Sequence, residues 1–353
     1  MGVNIADFFK KKIVINGKFF AQRITGVQRF AREILLELDK IADAYKIEIV
    51  VPKNARDIPE LNNIKVVKSR FKKSILWEQI WLPMYIWLHN DIGVHLCHVA
   101  PIIKPDIVCL HDANILQNPQ WFTRKVLLWY GLIDRVCAKF AKKILTISEF
   151  SKNDLNSALN ISGRKIEVLT EGHQHLEKTP FDESALSRYN LKRKNFYFSL
   201  GTRAPHKNIK WIHKYAKAHP NEAFALSGSS YDRIFGKVDN DIPANVKFLG
   251  YLSDAEIKTL MRDCKAFVFP SFYEGFGLPP LEALSVGCPV IVSDIPVMHE
   301  IFGDAVRYID PNNANVDLEE LLTTPVTPAT AVLEKYSWKR GAEMLKNVIK
   351  EIA

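Results

Sequence analysis

The sequence predicts an α/β protein of two domains, each built on a parallel β-sheet covered by helices on both faces. The chain has 353 residues, which is the length of two domains of ordinary size. Short apolar runs alternate with amphipathic segments of helical period along almost the whole chain. This alternation starts again near residue 195, after a polar stretch at 177–194. We therefore predict two Rossmann-like domains with a hinge around 177–195 and a central cleft at the carboxyl ends of the strands.

The first half of the chain supplies the elements of the first domain. Its helix at 25–42 has apolar residues at helical spacing and begins at Thr25 or Gly26, which suit a helix start. Ser148 is predicted to cap a second helix that directly follows a strand. Strands are predicted at 11–17, 47–52, 64–68, 106–112 and 165–172, helices at 25–42 and 124–141, and a strand followed by a helix within 143–155.

The second half repeats the pattern and ends in a helix. Strands are predicted at 196–202, 223–228, 266–271 and 289–294, a strand followed by a loop at 246–253, and helices at 208–219, 254–264, 279–287 and 337–352. We place the domains at 1–185 and 186–335, and we expect the terminal segment 336–353 to cross back to the first domain.

Composition and charge restrict the class of protein. With 47% hydrophobic and 25% charged residues the chain resembles a soluble globular protein, and no signal peptide is recognised in residues 1–17. The five scattered cysteines form no C-x-x-C pair, which favours buried thiols in a reducing, cytoplasmic compartment. The net charge of +9 is dispersed and accompanies no nucleic-acid-binding module. An anionic membrane surface or a phosphorylated substrate fits this charge better than nucleic acid does.

The most apolar segment, 74–96, is interrupted by charged residues and Pro83, so we expect no membrane span. We favour a buried helix with Trp77, Trp81 and Trp87 partly in the core. An interfacial membrane contact is the alternative.

The stretch "PSFYEGFGLPPLEALSVGCPV" at 270–290 carries the strongest chemical signal. A strand ends at Pro270, a glycine-rich loop follows, and Pro279 and Pro280 suit the first turn of a helix that ends at Gly287. The loop and the helix N-terminus offer backbone N–H groups to an anion, here those of residues 275–278.

The carboxylates of Glu274 and Glu282 need a partner other than a phosphate. A carboxylate accepts paired hydrogen bonds from a vicinal diol. We place Glu282 in the first helical turn and expect the two side chains to hold the ends of a ligand with sugars on both sides of a diphosphate. Read singly, Glu282 is also explained as a favourable charge at a helix N-terminus, and Glu274 as an exposed loop residue.

Cations for such a diphosphate are present in "SLGTRAPHKNIKW" at 199–211. Arg203, His206 and Lys207 lie in a loop between a strand and a helix that begins near Asn208. A lysine and an arginine there would neutralise developing phosphate charge, although a solvated turn explains them equally well.

Two residues of the first domain complete the candidate site. Gly26 would let the backbone approach a phosphate or the sugar. His111 follows a strand and is expected to face the cleft, or else to be a hydrogen-bonded core histidine. The histidines and the cysteine at 95, 97, 98, 173 and 175 match no zinc spacing, so we expect no metal.

At this point the chain resembles the retaining family-4 glycosyltransferases of the GT-B fold, of the bacterial surface-polysaccharide type. The segments that carry the resemblance are "TGVQRFAREIL", "HDANILQNPQWF", "ILTISEFSKNDL", "LGTRAPHKNI", the core from "FLGYLSDAEIK" to "RYIDP", and "YSWKRGAEML". They cover nearly the whole chain, and the E-x7-E motif of Glu274 and Glu282 is the most specific of them. Many family members have a Gly-Arg pair where this chain has Gly201, Thr202 and Arg203.

The resemblance implies a role for each candidate residue. Residues 1–185 would form the acceptor-side domain and 186–335 the donor-binding domain. Lys207 and Arg203 would hold the donor diphosphate, Glu282 the nucleotide ribose, and Glu274 the transferred sugar. The remaining donor contacts would come from Gly26, Tyr251, Leu252, Gly275, Phe276, Gly277 and Leu278, with Tyr251 and Leu252 near the base. His111 would face the sugar and the acceptor.

The implied activity is transfer of a hexose or deoxyhexose from a UDP-, GDP- or dTDP-linked donor, with retention and without a metal or other cofactor. The acceptor would be a hydroxyl of a lipid-linked saccharide in lipopolysaccharide, O-antigen or capsule synthesis, at the inner face of the cytoplasmic membrane. Glu274 would then position the sugar rather than act as a nucleophile. A GT-B sugar-nucleotide epimerase and a non-catalytic nucleotide-sugar-binding subunit are the alternatives.

Overall fold

A computed structural model describes residues 11–42, 46–201, 204–228 and 242–352. Its contacts divide the chain into two units. The first unit contains Met1–Ala113, Leu128–Glu171 and Trp338–Ala353, and the second contains Asn114–Leu127 and Gly172–Ser337. The chain thus passes between the units at residues 113/114, 127/128, 171/172 and 337/338, whereas the sequence placed boundaries at 185/186 and 335/336. The N-terminal residues 1–10 and the predicted phosphate ligand Arg203 lie outside the described residues.

The first unit has a parallel sheet whose described strands are ordered β3-β2-β1-β4-β5-β6-β7. The strands are β1 Ile13–Asn16, β2 Ile47–Val51, β3 Lys65–Lys68, β4 Ile92–His95, β5 Ile107–Cys109, β6 Lys143–Thr146 and β7 Ile166–Val168. In register, Ile13 of β1 is opposite Ile47 of β2 on one side and Ile92 of β4 on the other. The chain adds β2 and β3 on one side of β1 and then crosses to the other side of β1 to form β4. The strand order therefore reverses between β1 and β4. In a doubly wound sheet, ligands bind at such a reversal, outside the carboxyl ends of the strands.

The second unit repeats this order with the strands β10-β9-β8-β11-β12-β13. They are β8 Phe196–Leu200, β9 Ala223–Ser227, β10 Val246–Gly250, β11 Phe267–Phe269, β12 Val290–Ser293 and β13 Arg307–Ile309. Its reversal lies between β8 and β11, which are paired through Phe198 and Phe267. The two Rossmann-like units predicted from the sequence are therefore confirmed.

Helices cover these sheets. They are α1 Gly26–Ile41, α2 Leu82–Leu88, α3 Asn114–Gln117, α4 Arg124–Phe140, α5 Glu149–Leu159, α6 Gln174–Glu177, α7 Ala185–Arg188, α8 Ile209–Ala218, α9 Asp254–Asp263, α10 Leu278–Ser285, α11 Pro296–Phe302, α12 Leu318–Thr323, α13 Thr330–Lys335 and α14 Trp338–Ile352. As predicted, Thr25 caps α1, and Ser148 caps α5 by accepting a hydrogen bond from the backbone N–H of Ser151. Within the described ranges, no helix has both the length and the apolar character needed to cross a membrane.

The last helix, α14, packs against α1 in the first unit. Gly341 makes this contact close, because a Cβ there would lie 2.5 Å from the carbonyl oxygen of Thr170 and 2.7 Å from Ile34. Trp338 at the start of α14 is buried and meets Phe30 edge-on at a ring distance of 6.3 Å.

The segment 74–96 is the main place where the predicted elements were wrong. The predicted buried helix is a π-helical turn at Trp77–Trp81 followed by α2, and residues 92–95 form the central strand β4 instead. Trp77 is buried, but Trp87 is 68% exposed. Since an apolar run of this length does not distinguish a buried strand from a helix, the sequence alone did not separate the two elements.

Candidate functional site

Lys207 is positioned by the loop that follows β8. The loop closes in a 3-10 turn at Pro205–Lys207, and Asn208 then takes a left-handed conformation with φ 54° before α8 begins. The Asn208 side chain does not cap the helix. Instead its Nδ2 donates to the carbonyl oxygens of Pro270 at 2.9 Å and Pro311 at 2.8 Å. These two bonds fix the lysine loop to the loops after β11 and β13.

Glu274 lies in the next loop across the reversal point, between β11 and α10. The backbone N–H of Phe272 donates to the carbonyl oxygen of His206 at 2.8 Å, which joins this loop to the lysine loop. Loops after neighbouring strands on either side of a reversal meet at one edge of the sheet. The fold therefore brings Lys207 and Glu274 together, although they are 67 positions apart in the sequence.

Lys207 and Glu274 form an ion pair at this edge. The lysine Nζ lies 2.7 Å from Oε1 and 2.9 Å from Oε2 of the carboxylate, with the two side chains 20% and 11% exposed. Nζ also lies 5.1 Å from the centroid of the Phe269 ring, and the lysine stem passes over Gly201. The sequence singled out both residues but assigned them to different parts of a ligand, and it did not predict that they pair.

A pocket that is open to solvent adjoins this pair. Its lining residues come from β8, β9, β10 and β11, from the loops that follow β8 and β9, and from the start of α8: Ser199, Leu200, Gly201, Lys207, Ile209, Leu226, Ser227, Gly228, Phe248 and Phe269. Of these, only Lys207 was a candidate from the sequence. The missed residues share one signal, since most of them end a predicted strand, where ligands of such sheets bind.

The glycine loop leads into α10 in an unusual backbone conformation. Gly277 has φ 110° and precedes the first helical residue, Leu278. A Cβ at Gly277 would lie 3.1 Å from Phe302 and 3.4 Å from Met298, so both conformation and space favour glycine. Phe276 is buried and meets the ring of Tyr336 edge-on at 5.0 Å. This packing anchors the loop. The Phe276 side chain therefore has a structural role, in addition to the donor contact predicted for its backbone.

Glu282 is not in the first turn of its helix, as the sequence had suggested. Because α10 begins at Leu278, the carboxylate lies in the second turn, and the first turn has no acidic residue. A favourable charge at the helix N-terminus therefore does not explain this residue, since that effect falls off within the first turn. Its side chain is 9% exposed and accepts a hydrogen bond at 2.9 Å from Nε2 of His175, which is 5% exposed.

The two candidates for the base pocket differ in burial. Tyr251 is 51% exposed, whereas Leu252 is buried. Both follow Gly250, which ends β10 with φ 74°. Neither residue lines the pocket beside Lys207, but Phe248 of β10 does.

Gly26 and His111 belong to the first unit. Gly26 is the first residue of α1, and a Cβ on it would meet no atom of the described residues within 4 Å. His111 is buried behind β5, where its Nε2 must donate to the carbonyl oxygen of Leu96 at 2.9 Å. Burial lowers the pKa of His111 to about 4, so its imidazole is neutral at pH 7. The roles predicted for the two residues stay predictions.

Two other histidines of the first unit, His95 and His98, are in environments that shift their pKa values in opposite directions. His95 is buried, and desolvation lowers its pKa to about 3. The Nε2 of His98 lies 3.3 Å from the fully buried carboxylate of Asp134, which helps to raise the pKa of that histidine although burial opposes it. Among the described residues, no group of three or more His, Cys, Asp or Glu side chains is placed to hold a metal ion.

Known proteins are similar to this chain in sequence, and others are similar to it in fold. Residues 183–324 match the family model of glycosyl transferases group 1. The O-antigen chain mannosyltransferase RfbU of Salmonella typhimurium is 27% identical over 320 residues, which cover 85% of this chain and 87% of the relative. The O-antigen chain mannosyltransferase B of Escherichia coli is 25% identical over 361 residues, covering 94% and 93%.

Two solved structures show the same fold. WaaG, a glycosyltransferase involved in lipopolysaccharide biosynthesis, has a TM-score of 0.65 at 14% identity and covers 97% of this chain and 99% of its own. Anabaena HepE, solved in complex with UDP and glucose, has a TM-score of 0.69 at 16% identity, with 97% and 100% covered.

Two doubly wound parallel sheets and the likeness to WaaG and HepE define the GT-B fold. Within that fold, residues 183–324 match the family model of glycosyl transferases group 1, and most of the chain is similar to O-antigen chain mannosyltransferases. These similarities support a glycosyltransferase and agree with the family-4 resemblance that the sequence indicated.

Proposed function

We propose that this glycosyltransferase moves a hexose, with retention, from a nucleoside-diphosphate sugar to a hydroxyl of a lipid-linked saccharide in O-antigen, lipopolysaccharide or capsule assembly. The observation that carries the proposal is the Lys207–Glu274 pair beside a pocket at the carboxyl ends of β8, β9 and β10. Mannose is the first candidate for the sugar, because the relatives RfbU and mannosyltransferase B are O-antigen chain mannosyltransferases.

Binding of the donor would exchange the partners of the ion pair. The Lys207 ammonium pairs with the diphosphate instead of with Glu274. The released Glu274 carboxylate then accepts hydrogen bonds from the sugar hydroxyls. Glu282 accepts from the ribose hydroxyls. The N-terminus of α10 and the predicted Arg203 add positive charge at the phosphates, which gives the leaving diphosphate its stabilisation without a metal.

Glu274 acts in this scheme as the residue that positions the sugar. The acceptor hydroxyl attacks the anomeric carbon on the face that the diphosphate leaves, and a phosphate oxygen takes the hydroxyl proton. The sugar–oxygen bond to the phosphate breaks as the new glycosidic bond forms, so configuration is retained. A second carboxylate is not needed, and Glu282 is already held by His175.

A panel of donors tests the proposal. Thermal unfolding of the protein in EDTA, with GDP-, UDP- and dTDP-linked sugars, should show one donor that raises Tm most, because binding to the folded state alone stabilises it. The same donor should then glycosylate a lipid-linked saccharide in EDTA. Turnover of the donor without acceptor would indicate an epimerase instead, and donor binding without transfer to any acceptor would indicate a binding subunit.

An exposed apolar face on the first unit supports the membrane contact that we propose for this enzyme. Along the segment 75–88, large apolar side chains point outward on successive turns: Ile75, Leu76, Ile80, Met84, Trp87 and Leu88 are each at least 51% exposed. The exposed Arg70 and Lys72 precede them. Apolar residues beside a basic cluster suit an anionic lipid surface, where a tryptophan enters the interface and the cations meet the headgroups.

We expect the Leu76→Ser, Trp87→Ser, Leu88→Ser triple variant to lose at least about tenfold in binding to vesicles that contain anionic lipid. The loss follows from the apolar area that no longer enters the bilayer, at about 25 cal/mol per Å². Vesicle cosedimentation at low and high salt measures it. The matched control is Val326→Ser, an exposed apolar residue of the second unit. Equal binding of the triple variant and the wild type would contradict the membrane contact.

A further inference from the structure

His175 is a polar side chain that the proposed chemistry has not used. Its Nε2 lies 2.9 Å from Oε1 of Glu282, and both side chains are nearly excluded from solvent. An ionised carboxylate only accepts hydrogen bonds, so His175 carries its hydrogen on Nε2 and donates it. A buried carboxylate without such a donor is strongly unfavourable, which makes the pair a constraint on where the Glu282 oxygens point.

The segment that carries His175 is itself held rigidly. It forms α6, which packs against α9 and α10 of the same unit. Lys258 on α9 donates to the carbonyl oxygens of Leu176 at 2.6 Å and Thr179 at 2.7 Å. The Thr179 hydroxyl donates to the carbonyl oxygen of His175 at 2.9 Å. The imidazole is therefore presented to Glu282 from a fixed backbone.

The pair leaves part of the carboxylate available. Among the described residues, none donates a hydrogen bond to Oε2 of Glu282, and Oε1 has one lone pair beyond the one that His175 uses. A carboxylate held by one donor on one side keeps the geometry that a vicinal diol requires on the other side.

We infer that His175 is a positioning residue for the donor, which orients Glu282 so that its carboxylate accepts hydrogen bonds from the ribose diol of the nucleotide. The inference rests on the proposed role of Glu282. It gives a function to one histidine of the "EGHQH" stretch, whose spacing had suggested only a metal cluster that the sequence itself disfavoured.

The experiment compares two probes for each protein: the ribonucleoside diphosphate, UDP or GDP, that binds better, and its form without ribose hydroxyls (2′,3′-dideoxy). Because dTDP already lacks the 2′-hydroxyl, it is tested for binding only. The wild type should bind the hydroxylated probe at least about tenfold more tightly, since it makes hydrogen bonds to a charged group. His175→Ala should reduce this ratio of Kd values to within about threefold. His175→Gln, whose amide N–H reaches a similar position, should restore most of the ratio.

A purely structural role would change a different quantity. If His175 only joins α6 to α10, His175→Ala lowers Tm but keeps the ratio of Kd values, and that result overturns the inference while leaving the proposed function intact. His219→Ala serves as the matched control, because His219 packs on Tyr215 at the far end of α8 and should keep the ratio. If His175→Ala does not fold, His175→Asn replaces it, with a side chain too short to reach Glu282.

The wild type separates this inference from the proposal beneath it. A wild type that binds the nucleotide with no preference for the ribose hydroxyls overturns the inference together with the role of Glu282. A wild type that binds none of the three diphosphates overturns the donor site as a whole.

Discussion

Lys207→Ala should lower the rate of sugar transfer by about 10²–10³-fold, the loss typical of removing one group that stabilises charge in the transition state. Lys207 is held at the sheet edge by its pairing with Glu274 and by the loop that the Asn208 side chain fixes. Binding of the nucleoside diphosphate should weaken as well, because the ammonium meets the phosphates before and during reaction. Initial rates at saturating donor, with Kd for the diphosphate, measure both effects.

The control for this variant is Lys210→Ala, which removes an exposed lysine from the same helix region. It should leave the rate within about twofold of the wild type, as expected of a surface substitution. A Lys207→Ala enzyme with a near-normal rate would remove the central support for the proposed function.

Glu274→Gln should separate binding from transfer. We expect transfer to fall by about 10–100-fold, because a neutral amide makes weaker hydrogen bonds to the sugar hydroxyls than a carboxylate does. Binding of the nucleoside diphosphate without sugar should stay equal or tighten by up to about fivefold. The reason is that Lys207 no longer has to leave its ion pair with Glu274 when the phosphates arrive.

Isothermal titration with the diphosphate and rate measurements with the intact donor check the two signs. Glu183→Gln is the matched control, since Glu183 also pairs with a cation, Arg262 at 2.8 Å, but on an exposed surface of the same unit. That variant should change neither quantity. Weaker diphosphate binding in Glu274→Gln would mean that the carboxylate holds the loop rather than the sugar.

The two predictions together distinguish the parts of the ion pair. Loss of the cation reduces binding and transfer, and loss of the anion reduces transfer alone. A donor-binding site that used the pair only as a structural link would show the same pattern for both variants.

Much of the fold could be predicted from local patterns. The amphipathic period of 25–42, the capping serine at 148 and the proline–glycine frame of 278–287 each correspond to an element of the structure. These signals depend on neighbours in sequence, which is why they are reliable. The segment 74–96 failed because a short apolar run is compatible with either a helix or a central strand, and only the pairing of β4 with β1 and β5 decides.

By itself, the sequence determined the class of this protein: the alternation of strands and helices requires parallel sheets, and the E-x7-E motif with Lys207 indicated the resemblance to GT-B glycosyltransferases. Only the tertiary structure decided which of these groups meet. It paired Lys207 with Glu274 across 67 residues and His175 with Glu282 across 107, as the hydrogen bonds record. The physical reason is that charged side chains removed from water must find partners, and those partners are chosen by which loops the strand order brings to the same edge of a sheet.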